Sequence, residues 1–249
     1  MFKVAFDAAR LIKRFKDIEQ KELSNIMVKS INDTAFDIRD GFKDEFRRVF
    51  DRPRPLTVNS ILFKAATPGK LSAEVFVRKE VNKGVPPSEY LFPNVQGGGR
   101  AQKAPEKRLQ ANPRIRNKFF TPGRSMPLDA YGNLPAKFIT KIMSQLAVQF
   151  DPTANETEKK RGSRLRRQRK KGGGGSFFVL PVNRGKLKAG VVYERITSGF
   201  GSTIRTALMP VNSVNYSVRF KPGPVAQKIF DRKFKANLER RMRAGGRLK

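Results

Sequence analysis

Residues 23–55 read LSNIMVKSINDTAFDIRDGFKDEFRRVFDRPRP. Within them Leu23, Ile26, Met27, Ile31, Thr34, Ala35, Ile38, Phe42, Phe46 and Val49 recur at steps of three and four. That spacing gathers them on one face of a helix several turns long. Lys29, Asp33, Asp37, Asp40, Lys43, Asp44 and Arg47 make the opposite, polar face. Gly41 lowers the helix propensity in the middle of the run. Pro53 and Pro55 end it, because proline lacks an N–H donor and disfavours helix in the residue before it.

Upstream, Val4, Ala8, Leu11, Phe15 and Ile18 share the same periodicity and predict a further helix. Its cations break the apolar run, so it is no signal peptide. A basic amphipathic helix of this kind packs on protein more often than on a membrane surface. Downstream, residues 57–66 (TVNSILFKAA) and 71–78 predict a hairpin. Leu71, Ala73, Val75 and Val77 alternate with Ser72, Glu74, Phe76 and Arg78, giving a strand with two unlike faces. Pro68 and Gly69 between the runs suit a type II turn.

The pattern dissolves over residues 84–127. Seven prolines and the triplet Gly97-Gly98-Gly99 predict an extended arm that reaches a neighbour, with a short helix over 105–111. Residues 134–150 regain helical spacing through Phe138, Ile139, Ile142, Met143, Leu146 and Phe150. Residues 151–175 read as a flexible loop. In KKRGSRLRRQRKK (159–171) Lys and Arg crowd together, repel each other and bury nothing, and Gly172–Gly175 follow as a hinge. Four candidate strands come next, at 176–182, 187–196, 204–211 and 216–220, with Pro210 marking an edge or a strand end. Val225, Ile229, Phe230, Phe234, Leu238 and Met242 then mark a C-terminal helix with a basic last turn.

The expected fold class is α+β. An antiparallel sheet carries long N-terminal helices and a C-terminal helix packed on it, with an extended proline-rich arm and a basic loop. The expected domains are 1–83 with the hairpin, 84–127 as arm, 128–150 as helix, 151–175 as loop, and 176–249 forming one domain with 1–83.

The 249 residues carry 53 Lys and Arg against 21 Asp and Glu, a formal charge of +32. With 38% hydrophobic residues the chain can bury a core. Self-repulsion at this charge opposes compact folding unless a polyanion neutralises it. There is no Cys and no His. The usual zinc sites and the commonest general base are therefore absent, and no cofactor or metal is expected. No apolar run reaches the length that spans a bilayer, so no membrane partner is expected.

The basic block supplies the sharpest candidate site: Lys159, Lys160, Arg161, Arg164, Arg166, Arg167, Arg169, Lys170 and Lys171. Cations of this density release counterions from nucleic-acid phosphate, or complement an acidic protein surface. No sequence-reading module accompanies them, so contact with nucleic acid would be backbone-directed. Phe119-Phe120 and Phe177-Phe178 lie near cations, where exposed rings could stack on bases, but they read first as core or interface anchors. Gly97–Arg100 lacks the spacing of a phosphate loop. Asp151, Glu156 and Glu158-x-Lys160 offer only a chance match to a metal-dependent nuclease. The chain is expected not to be an enzyme.

Several stretches carry a resemblance in their order along the chain. They are the long helix into Arg52-Pro53-Arg54-Pro55, the hairpin, and Tyr90-Leu91-Phe92-Pro93-Asn94-Val95-Gln96-Gly97-Gly98-Gly99-Arg100 with Glu106-Lys107-Arg108-Leu109. Leu128–Pro135, Gly190–Arg195 and the closing residues 216–242 complete the set. Together they resemble the Z-type minor tail proteins, the tail completion proteins of lambda-like bacteriophages. The resemblance implies a virion protein of the head–tail junction, made in the host cytoplasm and assembled as a homo-oligomeric ring. It implies portal, adaptor or tail-tube proteins as neighbours, with viral DNA close by. Tyr90, Phe92, Arg100, Phe119 and Phe120 are the expected subunit contacts of the arm. The alternative expectation is a sequence-independent nucleic-acid-binding or compacting protein.

Overall fold

The computed structural model describes residues 3–7, 17–82, 84–116, 119–172, 175–198 and 201–244. The fold is α+β, and the chain divides into two compact units. Unit 1 is Met1–Gly98 with Asn215–Lys249, and unit 2 is Gly99–Val214. The boundaries thus fall elsewhere than the sequence led one to expect: residues 176–214 belong with the middle of the chain and not with its start.

In unit 1 the periodic run forms helix α1 (Asp17–Val49). Met27, Ile31, Ala35, Ile38, Phe42 and Phe46 are all buried on one face. The two hydroxyls on that face are satisfied within the helix, Ser30 Oγ donating to the Ile26 carbonyl and Thr34 Oγ1 to that of Ser30, both at 2.8 Å. The helix stops where Arg52 takes a positive φ of 44° just before Pro53. A single turn, α2 (Pro55–Val58), follows with proline in its first turn.

Beneath α1 lies a three-stranded antiparallel sheet in the order β1-β3-β2, made of β1 (Lys3–Asp7), β2 (Ile61–Lys64) and β3 (Ser72–Val77). Ala73, Val75 and Val77 of β3 point into the core, as the alternation predicts. The first strand of the hairpin is shorter than expected, because Pro55 starts helix α2 where a strand was read. The hairpin turn is closed by reciprocal bonds between Thr67 and Lys70 at 2.9 Å. Gly69 does not take the positive φ that a type II turn requires.

The helix expected at the N-terminus is corrected as well. Residues 3–7 pair with β3, in register from Lys3↔Phe76 to Asp7↔Ser72. Over five residues Val4 and Phe6 satisfy a period of two as well as any helical period, and the free edge of β3 supplies the partner. Ile18 belongs to α1; Ala8, Leu11 and Phe15 lie outside the described residues.

The C-terminal helix α7 (Pro222–Ala244) packs along α1. Gly41 explains itself here, since a Cβ at that position would sit 2.3 Å from Ile229 Cδ1. Phe220 meets Phe42 and Phe46 edge-on, with centroids at 5.2 and 4.9 Å. Asn237 donates to Thr34 Oγ1 (3.1 Å) and Asp37 Oδ2 (2.9 Å), and Arg240 and Arg241 both donate to Asp33. Of the strand expected over 216–220 only Tyr216 is paired, in the two-residue strand Asn215–Tyr216. Arg219 and Phe220 instead turn their N–H groups to the Asn94 carbonyl. Asn94 sits in α3 (Pro87–Gln96), which delivers Leu91 to the same core.

Unit 2 is built on a four-stranded antiparallel sheet in the order β5-β8-β7-β6. A two-residue strand, β4 (Gly98–Gly99), precedes it in the chain. Its members are β5 (Phe119–Pro122), β6 (Gly175–Val179), β7 (Val192–Ser198) and β8 (Gly201–Val211). Pro210 pairs with Phe120 of β5, beyond Leu208 where the ladder with β7 ends. It therefore sits where a missing donor costs nothing. Helices α4 (Ala104–Leu109) and α5 (Ala136–Gln145) complete this core with Leu109 and Ile142. Phe150 does not join the expected face. The helix ends at Gln145, Ala147 turns with φ 56°, and the Phe150 ring is 81% exposed under the Arg108 guanidinium at 4.2 Å.

The proline-rich stretch is therefore not an extended arm. It holds α3, α4 and β5, which bury Leu91, Leu109 and Phe120 respectively. Pro87 and Pro105 occupy positions that need no N–H, in the first turns of α3 and α4, while Pro93 lies inside α3.

The close packing of Phe42 and Phe220 makes a simple forecast. Phe42→Ala lowers the stability of the chain by about 3–5 kcal/mol, read from denaturant unfolding. Lys29→Ala, on the exposed side of the same helix, changes it by no more than about 0.5 kcal/mol.

A candidate polyanion-binding helix

Residues 158–171 are not a loop. They form helix α6 (Glu158–Lys171), which packs on β7. Repulsion among its cations is real, but three local features outweigh it. Thr157 caps the N-terminus, its Oγ1 accepting from the Lys160 N–H at 3.3 Å, and Glu158 adds an acid to the first turn. Arg, Lys, Gln and Leu are good helix formers. Two side chains one turn apart then anchor the helix. Arg164 forks onto Glu156 at 2.6 and 2.7 Å and also donates to Ser176 Oγ. Gln168 is buried and accepts from Ser176 Oγ at 3.0 Å. The helix stops at Gly172, with φ 64° and its N–H on the Gln168 carbonyl. Gly172 is thus a stop signal rather than a hinge, and Gly175 opens β6 beneath the Glu194 side chain. Gly173 and Gly174 lie outside the described residues.

The anchors decide which cations remain available. Arg164 is half-buried and committed to Glu156. Lys159, Lys160, Arg161, Arg166, Arg167, Arg169, Lys170 and Lys171 are all exposed, and among the described residues none makes an ion pair. At 1.5 Å per residue they line a rod about 20 Å long. Leu165 is the one large apolar side chain exposed on it among the described residues. Chemically this surface offers charge and N–H donors, with almost no apolar area.

The carboxylates near the block are accounted for. Glu156 holds Arg164. Asp151 accepts from the Thr153 N–H (2.9 Å) and Oγ1 (2.7 Å). Glu158 is exposed on the first turn of α6. No group of three or more His, Cys, Asp and Glu able to hold a metal ion occurs among the described residues.

Of the expected subunit contacts, Tyr90 and Phe92 are exposed on α3. The other three serve unit 2 internally. Arg100 forks onto buried Glu106 at 2.7 and 2.6 Å and lies 5.1 Å from the Phe119 ring centre. The Phe120 N–H donates to Glu106 Oε1 at 3.1 Å, and its ring belongs to the core. Burial pushes the Glu106 carboxyl up; the Arg100 fork and the Lys103 and Phe120 N–H groups together outweigh it and hold the group below its ordinary value. Gly97–Arg100 therefore presents no free guanidinium fork to a phosphate. Phe177 is buried, and half-buried Phe178 faces Tyr193 at 5.8 Å, so neither is a base-stacking platform.

Compared with protein-family models, with curated proteins and with solved structures, the chain matches none. No helix among the described residues is long and apolar enough to cross a membrane.

The anchor makes α6 sensitive to acid. Hydrogen bonding from Arg164 is the chief reason that the Glu156 carboxyl lies below its ordinary value of 4.5, with help from the fields of Arg161 and Lys141. A lowered folded value means stability that is complete above pH 4.5 and lost as pH falls through that lowered value. Hydrogen exchange of α6 amides should therefore lose protection below pH 4.5 while α1 amides keep theirs. Glu156→Gln should bring the same loss at neutral pH.

Proposed function

We propose that the chain is a structural subunit of a bacteriophage neck or tail, a tail completion or head–tail joining protein assembled in a ring. Helix α6 lies against DNA or against an acidic face of a portal, adaptor or tail-tube protein. One observation carries this reading: eight exposed cations, none in an ion pair among the described residues, stand on a helix that the fold anchors through Arg164 and Gln168. Such a surface is stable against self-repulsion only at modest cost, and a polyanion removes that cost. The order of the motifs, which resembles that of tail completion proteins, supports the virion setting.

A second reading, a sequence-independent nucleic-acid-binding or compacting protein, is favoured by the near absence of exposed apolar area on α6. Protein interfaces centre on an apolar core, whereas phosphate contacts need none.

Cross-linking on assembled particles separates the two. The neck reading expects Lys159, Lys160, Lys170 and Lys171 to link to a portal, adaptor or tail protein, or to DNA, at the head–tail junction. Density for the chain on the outer shell, away from neck and DNA path, defeats it. Duplex binding in solution should weaken at least tenfold when Arg166, Arg167, Arg169 and Lys170 become Ala, and it should fall steeply with salt. Indifference to both removes DNA as the partner of α6 and defeats the second reading.

A further inference from the structure

We infer that the C-terminal helix α7 carries a second surface for nucleic-acid phosphate, independent of α6 and located in unit 1. Lys228, Arg232 and Lys235 stand at i, i+4 and i+7, so they form one stripe along the helix; Asp231 stands at i+3 on the same face and accepts from Gln227 at 2.8 Å. Lys233 lies beside the stripe, and Lys221 comes seven residues before Lys228, just ahead of the helix. All five side chains are exposed.

The contrast with α1 shows that this charge is not incidental. On α1 three of the cations are answered one turn away: Lys43 by Asp40, Arg47 by Asp44 and Arg48 by Glu45. On α7 the two arginines that face α1, Arg240 and Arg241, are answered by Asp33. The stripe is different. Among the described residues Lys228, Arg232 and Lys233 make no ion pair, and Lys235 reaches Glu239 only at 4.0 Å. Glu45, whose field reaches Lys228, is already bound by Arg48. Like charges spaced four apart destabilise a helix. Here burial of Ala226, Ile229 and Asn237 against α1 holds α7 in place nonetheless.

The chemistry favours phosphate over an acidic protein. No large apolar side chain of α7 is exposed among the described residues, so a protein partner would find no apolar centre to bury. A row of flexible lysines with an arginine needs only a regular line of anionic oxygens. A nucleic-acid backbone supplies one without regard to sequence.

The test uses the full chain and duplex oligonucleotides of two unrelated sequences, titrated at several salt concentrations. The quadruple variant Lys228→Gln, Arg232→Gln, Lys233→Gln and Lys235→Gln should bind at least tenfold more weakly. Its slope of log affinity against log salt should be shallower by about 3. Both losses should appear equally on the two sequences, and again in a background already lacking the α6 cations. Unchanged affinity and slope would overturn the proposal while leaving the α6 reading intact. Loss of binding to polyglutamate with DNA binding preserved would overturn it too, and would assign the stripe to an acidic protein. Acetylation of the unaltered chain gives a check that needs no variant: bound duplex should protect Lys228, Lys233 and Lys235, and equal labelling with and without DNA counts against the surface.

Discussion

Cationic repulsion is the constraint around which this molecule is arranged. With 53 basic residues and 21 acidic ones, most positive charges can have no carboxylate partner within the chain. The structure shows where the scarce carboxylates go. Asp33 clamps the C-terminal helix to the long one through Arg240 and Arg241. In unit 2, buried Glu106 and Glu194 hold Arg100 and Arg205, and Glu156 holds Arg164. Each of these pairs fixes one element to another within its unit. What remains is an excess of cations facing outward on α6 and α7. Buried pairs of this kind are weak evidence for stability in themselves. Their value here is geometric, because each one specifies which arginines are internal and which are free.

The long helix was readable because nine apolar positions and Thr34 hold one period over seven turns, and no other structure satisfies such a run. The β3 strand was readable for the same reason in period two. Residues 3–7 were not, since five residues fit either period and the deciding factor was the unfilled edge of β3. The proline-rich stretch misled for a different reason. Proline at a helix N-terminus looks the same in sequence as proline in an extended arm. Pro87 and Pro105 start helices, and only the burial of Leu91 and Leu109 behind them tells the two apart.

The candidate site was legible in its charge but not in its shape. The nine cations of 159–171 were evident, and their self-repulsion argued for a loop. The missing information was tertiary. Glu156 and Ser176 lie on either side of the block in sequence and meet Arg164 only once the sheet is formed. The signal that was available is local: Thr157 followed by Glu158 is a helix start, and the block between them and Gly172 holds no strong helix breaker besides Gly162. The sequence reads Arg100, Phe119 and Phe120 as outward contacts, although Glu106, six residues from Arg100, draws Arg100 and Phe120 inward and Phe119 lies against the Arg100 guanidinium. The C-terminal stripe was visible as composition alone. Its meaning depends on knowing which arginines Asp33 has taken.

The arrangement requires that outside negative charge relieve the outward cations. Thermal unfolding of the purified chain with and without duplex DNA, at low and at high salt, addresses it most directly. A polyanion that binds the folded surface should raise the midpoint at low salt, and the gain should shrink as salt screens the contact. A midpoint that does not respond to DNA at any salt concentration would contradict the account.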